Sequence, residues 1–313
     1  MYYPYFRGKQ NELITIRENA QLLKKSRFVP IIEPVKESLG GLTKTLSAVV
    51  DADGEVIVIV NPYHGDHSTN GDSIFSLLQN EFEGNQNISA GILLSEDVTI
   101  TNVKDLYASL KTRPITLIHA GFTDAKLLAE SLGNALSNTR HVFFEDNCGK
   151  LYRKHFKSPR RVLLRDGFQK RTNREHPPVE FFSDLHVTYE EEGMDGFGDF
   201  LIVGDEYSET GGPAYAVAIH LTFIDPDKDD EMHIHHFKSI RQDDPKDPAG
   251  KFLEALDKLV DELNRPTTRI FLTSAVEEFL DLHKRGHFPG LGYVKKLSMK
   301  HHIETLANFF KNK

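Results

Sequence analysis

Residues 90–119 read AGILLSEDVTITNVKDLYASLKTRPITLIH. The segment holds a short apolar run at 90–95, a helical pattern at 103–110 and a second apolar run at 115–119. Both apolar runs place Ile and Leu at consecutive positions, which is typical of parallel strands that are covered on both faces. A strand, a helix and a strand in this order predict a right-handed crossover unit within a parallel sheet.

The same order recurs through the first half of the chain. We predict further strands at 28–35, 55–61, 141–145 and 161–165, with helices at 11–24, 42–51, 73–83 and 124–136. Six such strands by residue 165 favour closure into a barrel over an open doubly wound sheet. No GxGxxG motif follows an early strand, which argues against a dinucleotide-binding fold.

The pattern changes after about residue 180. We expect strands at 185–189, 200–203, 215–224, 232–237 and 268–273, turns at 211–213 and 225–230, and helices at 249–264, 275–284 and 299–310, the last capped by Ser298. The sequence therefore predicts an α/β protein with a distorted (β/α) TIM-barrel-like fold, a β-rich insertion in its last quarter and C-terminal helices. We expect a single barrel-like domain over 1–313, with regular βα units over 1–180, a β-rich segment over 181–240 and a helix-strand-helix-helix segment over 241–313.

The composition is that of a soluble globular protein, with 39% hydrophobic and 27% charged residues. No apolar run is long enough to span a membrane, and the start MYYPYFRGKQ lacks the pattern of a signal peptide, so we expect a cytoplasmic protein. The single cysteine, Cys148, excludes an internal disulfide and a cysteine-rich zinc site.

Charge is unevenly distributed along the chain. The net charge is -8, yet residues 150–174 hold ten Lys and Arg against one acid. Residues 184–209 hold nine acids and no Lys or Arg. A basic segment in an acidic protein predicts a site for phosphates or for an acidic partner, although two neighbouring segments that neutralise each other would give the same pattern.

Polar residues follow most of the predicted parallel strands. In a barrel, the carboxyl ends of the strands carry the working groups. These ends supply Glu33, Glu145 and Arg165, and the later segment 196–225 adds Asp205. We expect the carboxylates to act as bases or as ligands of Mg²⁺ or Mn²⁺. The predicted phosphate-binding residues are Arg160, Arg161, Arg165, Lys170 and Arg171.

Histidines mark the β-rich segment. His220 interrupts an apolar strand, AVAIHLTF, and is a candidate general acid or base, or else a hydrogen-bonded core residue. His233 and His235 alternate along the strand MHIHH and therefore share one face, which suits two ligands of one divalent metal. The same pattern fits a histidine-rich strand without a metal. No Walker A loop, GxSxG elbow, HExxH motif or kinase signature is present.

Four segments carry a resemblance to known proteins. They are YYPYFRGKQNELITIRE near the start, FVPIIEPV, FGDFLIVGDEYSETGGPAYAVAIHLTF and the late HFPGLGYVKKLSMKHHIE. Together they resemble an uncharacterised bacterial family and are more distantly similar to the phage-related "beta family" proteins. The resemblance implies a barrel-like fold, a setting in phage conflict and a small nuclease-like protein encoded beside this one. It supplies no catalytic residues.

Two functions from different classes follow from these observations. The first is the binding of a phosphate-containing ligand, nucleic acid or nucleotide, with metal-assisted phosphoester hydrolysis as its enzymatic form. In that form Glu33, Glu145 and Asp205 serve as ligands or bases, His220 as acid or base, and Arg165 holds the phosphate. The second is a non-catalytic partner or sensor subunit that docks another protein through its charged segments.

Overall fold

The computed structural model describes residues 1–157, 160–209 and 211–312. The chain divides into two compact units. The barrel unit comprises Met1–Arg165 and Thr188–Phe200. The C-terminal unit comprises Asp166–Val187 and the residues from Leu201 onward. The sequence led us to expect one domain, whereas the predicted β-rich segment is shared between the two units.

The elements are as follows in chain order. The strands are β1 (Tyr5–Phe6), β2 (Ile31–Ile32), β3 (Val56–Ile59), β4 (Ile88–Ser95), β5 (Ile115–Ala120), β6 (Arg140–Phe144), β7 (Arg161–Leu164), β8 (Val179–Ser183), β9 (Gly196–Gly198), β10 (Ala218–Asp225) and β11 (Glu231–Lys238). The helices are α1 (Gln10–Glu18), α2 (Ala20–Ser26), α3 (Gly40–Asp51), α4 (Asp72–Glu81), α5 (Ile100–Ser109), α6 (Ala125–Leu132), α7 (Lys150–Arg153), α8 (Leu185–Thr188), α9 (Pro248–Leu263), α10 (Ser274–Arg285) and α11 (Leu291–Lys311).

The barrel unit is built on one parallel sheet. Strands β1 to β7 follow one another in sequence order, and β9 pairs in parallel with β7. The segment at β9 also bonds to the start of the chain, since the Tyr3 amide donates to the Phe197 carbonyl over 2.8 Å and the Tyr5 amide to that of Asp199 over 2.9 Å. The eight-stranded sheet is thus nearly closed into a barrel, which confirms the predicted TIM-barrel-like fold.

The strands of the barrel unit are buried on both faces. Every residue of β3, β4 and β6 is buried; most are apolar, and the polar ones are Ser89, Ser95, Arg140 and His141. One contiguous cluster of strand residues includes Tyr5, Ile31, Ile57, Ile59, Ile118, Val142, Val162 and Leu164. Full burial of each such side chain stabilises the fold by about 1.5–3 kcal/mol.

Glycine allows β9 to close the barrel. A Cβ atom at Gly198 would lie 2.2 Å from the carbonyl oxygen of Tyr3. That separation is far below van der Waals contact, so any other residue would push β9 away from the first segment of the chain. The short sequence Gly196–Gly198 therefore joins the two edges of the sheet.

The C-terminal unit contains a three-stranded antiparallel sheet in the order β10, β11, β8. The turn at Pro226–Lys228 joins β10 to β11, close to the predicted position. Ile219, Leu221 and Phe237 of this sheet pack in one apolar cluster with Phe252 of α9 and Phe279 of α10. The apolar stripe of α9, which recurs every three or four residues in the sequence, forms the helical side of this core.

Several predicted elements were wrong. The predicted strand at 185–189 is largely helix α8 (Leu185–Thr188), and Leu201 adopts a left-handed conformation (φ 51°) that is incompatible with the predicted strand at 200–203. The segment 268–273 is not a strand, because it leads into α10, where the hydroxyl of Thr273 accepts from the Val276 amide. Helix α11 begins at Leu291, directly after Gly290, so Ser298 is buried inside the helix and is not its cap.

Among the residues described, no helix has both the length and the apolar character needed to cross a bilayer.

Candidate functional site

Glu33 lies directly after β2, at the carboxyl ends of the barrel strands, as predicted. Its side chain is fully buried and accepts from the Tyr5 hydroxyl over 2.8 Å and from the Arg7 guanidinium. The amides of Tyr63 and His64 donate to its other oxygen over 2.9 and 3.0 Å. Burial acts to raise the pKa of Glu33, but the hydrogen bond from His64 and the charge of Arg7 lower it to about 2.

The role of Glu33 follows from these contacts. Both carboxylate oxygens already accept hydrogen bonds from the protein, so the group has little capacity left to hold a metal ion or to take a proton. It connects the end of β1, through Arg7, with the loop after β3, through His64. The geometry therefore supports a structural role for Glu33 at the mouth of the barrel rather than the catalytic role that we predicted.

Glu145 and Arg165 lie together at the same end of the barrel. Glu145 follows β6 and Arg165 follows the neighbouring strand β7. A terminal nitrogen of the Arg165 guanidinium donates to Oε1 of Glu145 over 3.0 Å, and its Nε donates to Oε2. The side chains are 29% and 26% exposed. The predicted carboxylate and the predicted phosphate-binding arginine are thus adjacent and accessible to solvent.

Arg160 and Arg161 are at the other end of β7. Arg161 is the first residue of the strand, and its guanidinium donates to the Gly193 carbonyl over 2.9 Å. Arg160 precedes the strand, and its carbonyl accepts from the His141 amide. A rise of about 3.3 Å per residue separates Arg161 from Arg165 by roughly 13 Å along β7. Arg160 and Arg161 therefore lie at the opposite end of β7 from Arg165, and their predicted role in phosphate binding stays a prediction.

Three further predicted residues belong to the C-terminal unit. The Asp205 amide donates to a carboxylate oxygen of Asp166 over 2.7 Å. Lys170 lies 3.7 Å from the Glu206 carboxylate. Arg171 forms a bidentate ion pair with Glu180, at 2.8 and 2.9 Å.

His220 belongs to a polar cluster on one face of the antiparallel sheet. It is the register partner of His236 on β11, and their Nδ1 atoms lie 2.7 Å apart. Nε2 of His236 lies 3.0 Å from Oε1 of Glu180 on β8, and Nδ1 of His176 lies 3.2 Å from the same oxygen. The ring of Phe168 packs against the His176, His220 and His236 rings. We call His176, Glu180, His220 and His236 the histidine cluster.

Electrostatics keep the imidazoles of the histidine cluster neutral. Burial, and after it the neighbouring His176, lower the pKa of His236 to about 4, whereas Glu180 opposes the shift. Burial also lowers the pKa of His176 and holds that of His220 well below its usual value. Neutral rings have lone pairs, and the short His220 to His236 contact requires one ring to donate and the other to accept.

His233 and His235 are on the opposite face of the sheet from the histidine cluster. His233 bonds through Nε2 to Glu231 over 3.1 Å, and the ring of His235 stacks on that of Phe237. Among the residues described, the His and carboxylate groups close enough to share a metal ion are His176, Glu180 and His236, and neither His233 nor His235 is among them. The signal for this group was weak in the sequence, because His176 and Glu180 precede the histidine-rich strand by more than fifty residues.

A basic groove lies at the face of the antiparallel sheet that carries His233 and His235. It encloses about 630 Å³ between β11, the turn after β10 and the region around the end of α9. Its lining includes five cationic side chains, those of Lys228, Lys238, Lys258, Arg265 and Arg269, against two carboxylates, Asp225 and Glu262. The groove has no clear signal in the sequence, because its cations are scattered between Lys228 and Arg269 and do not form a run.

The sheet forms an aromatic surface at the groove. Phe181, His233 and Phe223 are register partners on the three adjacent strands. The His233 ring stacks on Phe223 with centroids 5.7 Å apart and meets Phe181 edge-on at 6.0 Å. Phe181, on the edge strand β8, is 47% exposed. The row therefore runs from the groove to an accessible aromatic ring at the sheet edge.

No protein-family model matches this chain, and neither does any curated protein.

Proposed function

We propose that the C-terminal unit binds a phosphate-containing ligand, a nucleic acid strand or a nucleotide, in the basic groove. The observation that carries the proposal is the excess of cations over carboxylates in a groove of a protein whose net charge is -8. A concave surface with one sign of charge concentrates ligands of the opposite sign. Phosphate esters are the anions that such clusters of Lys and Arg hold in proteins.

Two lysines supply the charge for this ligand. Arg265 pairs with Glu262 at 2.8 Å, and Arg269 pairs with Asp227 and, at 3.7 Å, with Asp225. Lys228 and Lys258 form no salt bridge with any described residue, whereas the ammonium of Lys238 donates to the carbonyls of Arg174 and His176. Lys258 bonds to the Lys238 carbonyl over 2.6 Å, which holds its positive charge at the groove without neutralising it.

The aromatic row formed by Phe181, His233 and Phe223 supports a ligand that carries nucleobases. Single-stranded nucleic acids bind where a cationic groove follows their backbone and aromatic rings stack on their bases. Phe181 presents a half-exposed ring on the same sheet face as His233, which lines the groove. This combination favours a strand with unstacked bases over a duplex, whose bases are not available for stacking.

Fluorescence anisotropy with labelled single-stranded and double-stranded DNA and RNA tests the proposal, at several salt concentrations and in the presence of EDTA. We expect single strands to bind with a strong salt dependence. Lys258→Ala should make the slope of log K against log salt shallower by about 0.7, since one phosphate contact is lost. Lys284→Ala, an exposed lysine of α10 outside the groove, is the matched control and should leave the slope unchanged. Equal effects of both variants, or no binding of any nucleic acid or nucleotide, would overturn the proposal.

The pairing of Glu145 with Arg165 favours a second candidate function, metal-assisted phosphoester hydrolysis at the barrel mouth. Barrel enzymes work at the carboxyl ends of their strands, where these two residues lie. Glu145 would hold Mg²⁺ or Mn²⁺ and Arg165 a phosphate oxygen. Cleavage of nucleic acids or nucleotides that needs either metal, and that Glu145→Gln abolishes while the exposed strand-end variant Glu96→Gln retains it, would support this candidate. Absence of cleavage with both metals would rule it out and leave the binding proposal, which is measured in EDTA, unaffected.

We propose phage conflict as the biological setting, on the strength of the resemblance to the phage-related beta family proteins. A nuclease-like neighbour is the expected protein partner, and charged surfaces would dock it. Co-purification with that neighbour, and its loss on charge reversal at the exposed residues Lys157 and Arg160, tests this expectation.

A further inference from the structure

The histidine cluster combines features that a buried polar group seldom has without a ligand. His176 and His236 both direct a ring nitrogen at one oxygen of Glu180, at 3.2 and 3.0 Å. The two imidazole side chains are each 1% exposed. Nε2 of His176 is buried and has no hydrogen-bond partner within the described part of the chain. The cluster thus contains more nitrogen lone pairs than the surrounding protein satisfies.

We propose that His176, Glu180 and His236 form a binding site for one divalent transition-metal ion of the zinc class, and that His220 positions His236 for it. The inference does not rest on the proposed function.

The distances suit such an ion. Zn²⁺ binds imidazole nitrogens and carboxylate oxygens at about 2.0–2.2 Å in tetrahedral geometry, which separates ligand atoms by roughly 3.3 Å. The nitrogen to oxygen distances of 3.0 and 3.2 Å are close to this value, and all three ligand atoms lie within 4.8 Å of one another. An ion can therefore enter with small side-chain movements. Two imidazoles and one carboxylate form a ligand set that leaves a fourth position open.

The outer contacts of His236 and Glu180 are also those of a metal site, whereas Nε2 of His176 has no hydrogen-bond partner within the described part of the chain. A histidine ligand donates its second ring N–H to a neighbour, which fixes its orientation. Nδ1 of His236 is 2.7 Å from Nδ1 of His220, so His220 accepts that proton when Nε2 of His236 binds the ion. Arg171 holds the Glu180 carboxylate from the solvent side at 2.8 Å, and Phe168 packs over the rings.

The chain offers a matched control for this proposal. His235 neighbours His236 in sequence, lies on the same strand and points to the other face. If metal ions bound unspecifically to the histidines of β11, the affinity would depend on His235. If one ion binds at the proposed site, the affinity depends on Glu180 and His176.

The test is a titration of the full chain, stripped with a chelator and free of nucleic acid, with Co²⁺ and then Zn²⁺, followed by visible absorption and calorimetry. We expect one ion per chain. Affinity should fall by more than about 100-fold in Glu180→Gln and in His176→Ala, and by 10- to 100-fold in His220→Phe, where only an outer contact is lost. His235→Ala should bind as the unsubstituted protein does.

A second measurement uses only the unsubstituted chain, so its result does not depend on whether the variants fold. X-ray absorption of the zinc-loaded, unsubstituted chain should show two imidazole ligands and oxygen in the remaining positions. Failure of the unsubstituted chain to bind one ion saturably, a spectrum without imidazole, or binding that survives Glu180→Gln and is lost in His235→Ala would each overturn the proposal.

Discussion

The His64 amide donates to Oε1 of Glu33 over 3.0 Å, and this bond fastens the loop after β3 to the end of β2. Oε2 of the same carboxylate accepts from Tyr5 and Arg7, so one buried charge joins three successive strand ends of the barrel. A carboxylate with five donors is an anchor for the barrel mouth. We expect removal of this carboxylate to reduce the stability of the folded protein before it reduces any activity.

We predict that Glu33→Gln destabilises the protein by about 3 kcal/mol at pH 7, because the pKa of Glu33 is lowered from 4.5 to about 2 in the folded protein. The amide group of glutamine would also direct a donor at Arg7 or at the His64 amide. The pKa is lower in the folded state, so this stability is present above pH 4.5 and is lost as the pH falls toward 2. Urea unfolding of both proteins between pH 7 and about 4 should show the difference shrinking at the acid end. Glu96→Gln, an exposed carboxylate at another strand end, should change nothing.

We predict that Gly198→Ala destabilises the barrel unit by about 1–3 kcal/mol, the usual effect of forcing an extra group into a packed position. The added methyl would meet the Tyr3 carbonyl, and β9 would have to move away from the first segment of the chain. Gly149→Ala is the control, because no atom lies within 4 Å of its added Cβ. Equal midpoints of urea unfolding for the two variants would contradict the prediction.

Acid should destabilise the C-terminal unit through His301. Its Nε2 lies 2.8 Å from the Thr222 carbonyl and its Nδ1 is 2.8 Å from the Thr273 hydroxyl, both fully buried contacts. Burial lowers the pKa of His301 from 6.5 to about 4, although the Thr222 carbonyl opposes the shift. The unfolded chain therefore binds more protons, and stability falls as the pH drops from 6.5 to about 4.

The expected slope is about 1.4 kcal/mol per pH unit for each such histidine between those two pKa values. His236, with a pKa of about 4, should contribute in the same direction, and His141, with a pKa of about 3, should destabilise the barrel unit in acid by the same mechanism. Unfolding free energies from urea titrations at a series of pH values check this, and His301→Gln should show a shallower slope. A stability that stays constant from pH 7 to 5 would contradict the prediction.

The sequence predicted the barrel more fully than its functional surfaces. Consecutive apolar residues mark β3 to β7, because a strand buried on both faces has few positions for polar side chains, although β6 begins with the buried Arg140 and His141. The closing strand, Gly-Phe-Gly at 196–198, has no such signal, because its pairing depends on the absence of side chains. The predicted strand ends correctly placed Glu33, Glu145 and Arg165 at the mouth of the barrel. The hydrogen-bond partners of Glu33 could not be predicted, because they depend on the geometry of a loop that no local sequence pattern encodes.

The groove and the histidine cluster were harder to predict for a similar reason. Lys258 is on the outer side of an ordinary amphipathic helix, where a lysine is expected with or without a ligand. His236 looked equivalent to His235, and only the register with β8 decides which of them faces Glu180. Antiparallel pairing between segments that are distant in the sequence decides which side chains become neighbours. The register of that pairing cannot be read from the sequence.

We predict that Phe181→Ala weakens the binding of single-stranded nucleic acid by about 1–3 kcal/mol, the usual effect of removing one stacking ring. The salt dependence should stay the same, since no charge is lost, and this separates the variant from Lys258→Ala. Stability should change little because Phe181 is 47% exposed. Phe271→Ala is the matched control, a ring of the same unit that is 43% exposed and does not belong to the row formed by Phe181, His233 and Phe223. Anisotropy titrations of both variants at two salt concentrations decide the matter: a loss of affinity confined to Phe181→Ala supports stacking at the sheet edge, and equal affinities in the two variants would remove the aromatic row from the proposed binding surface.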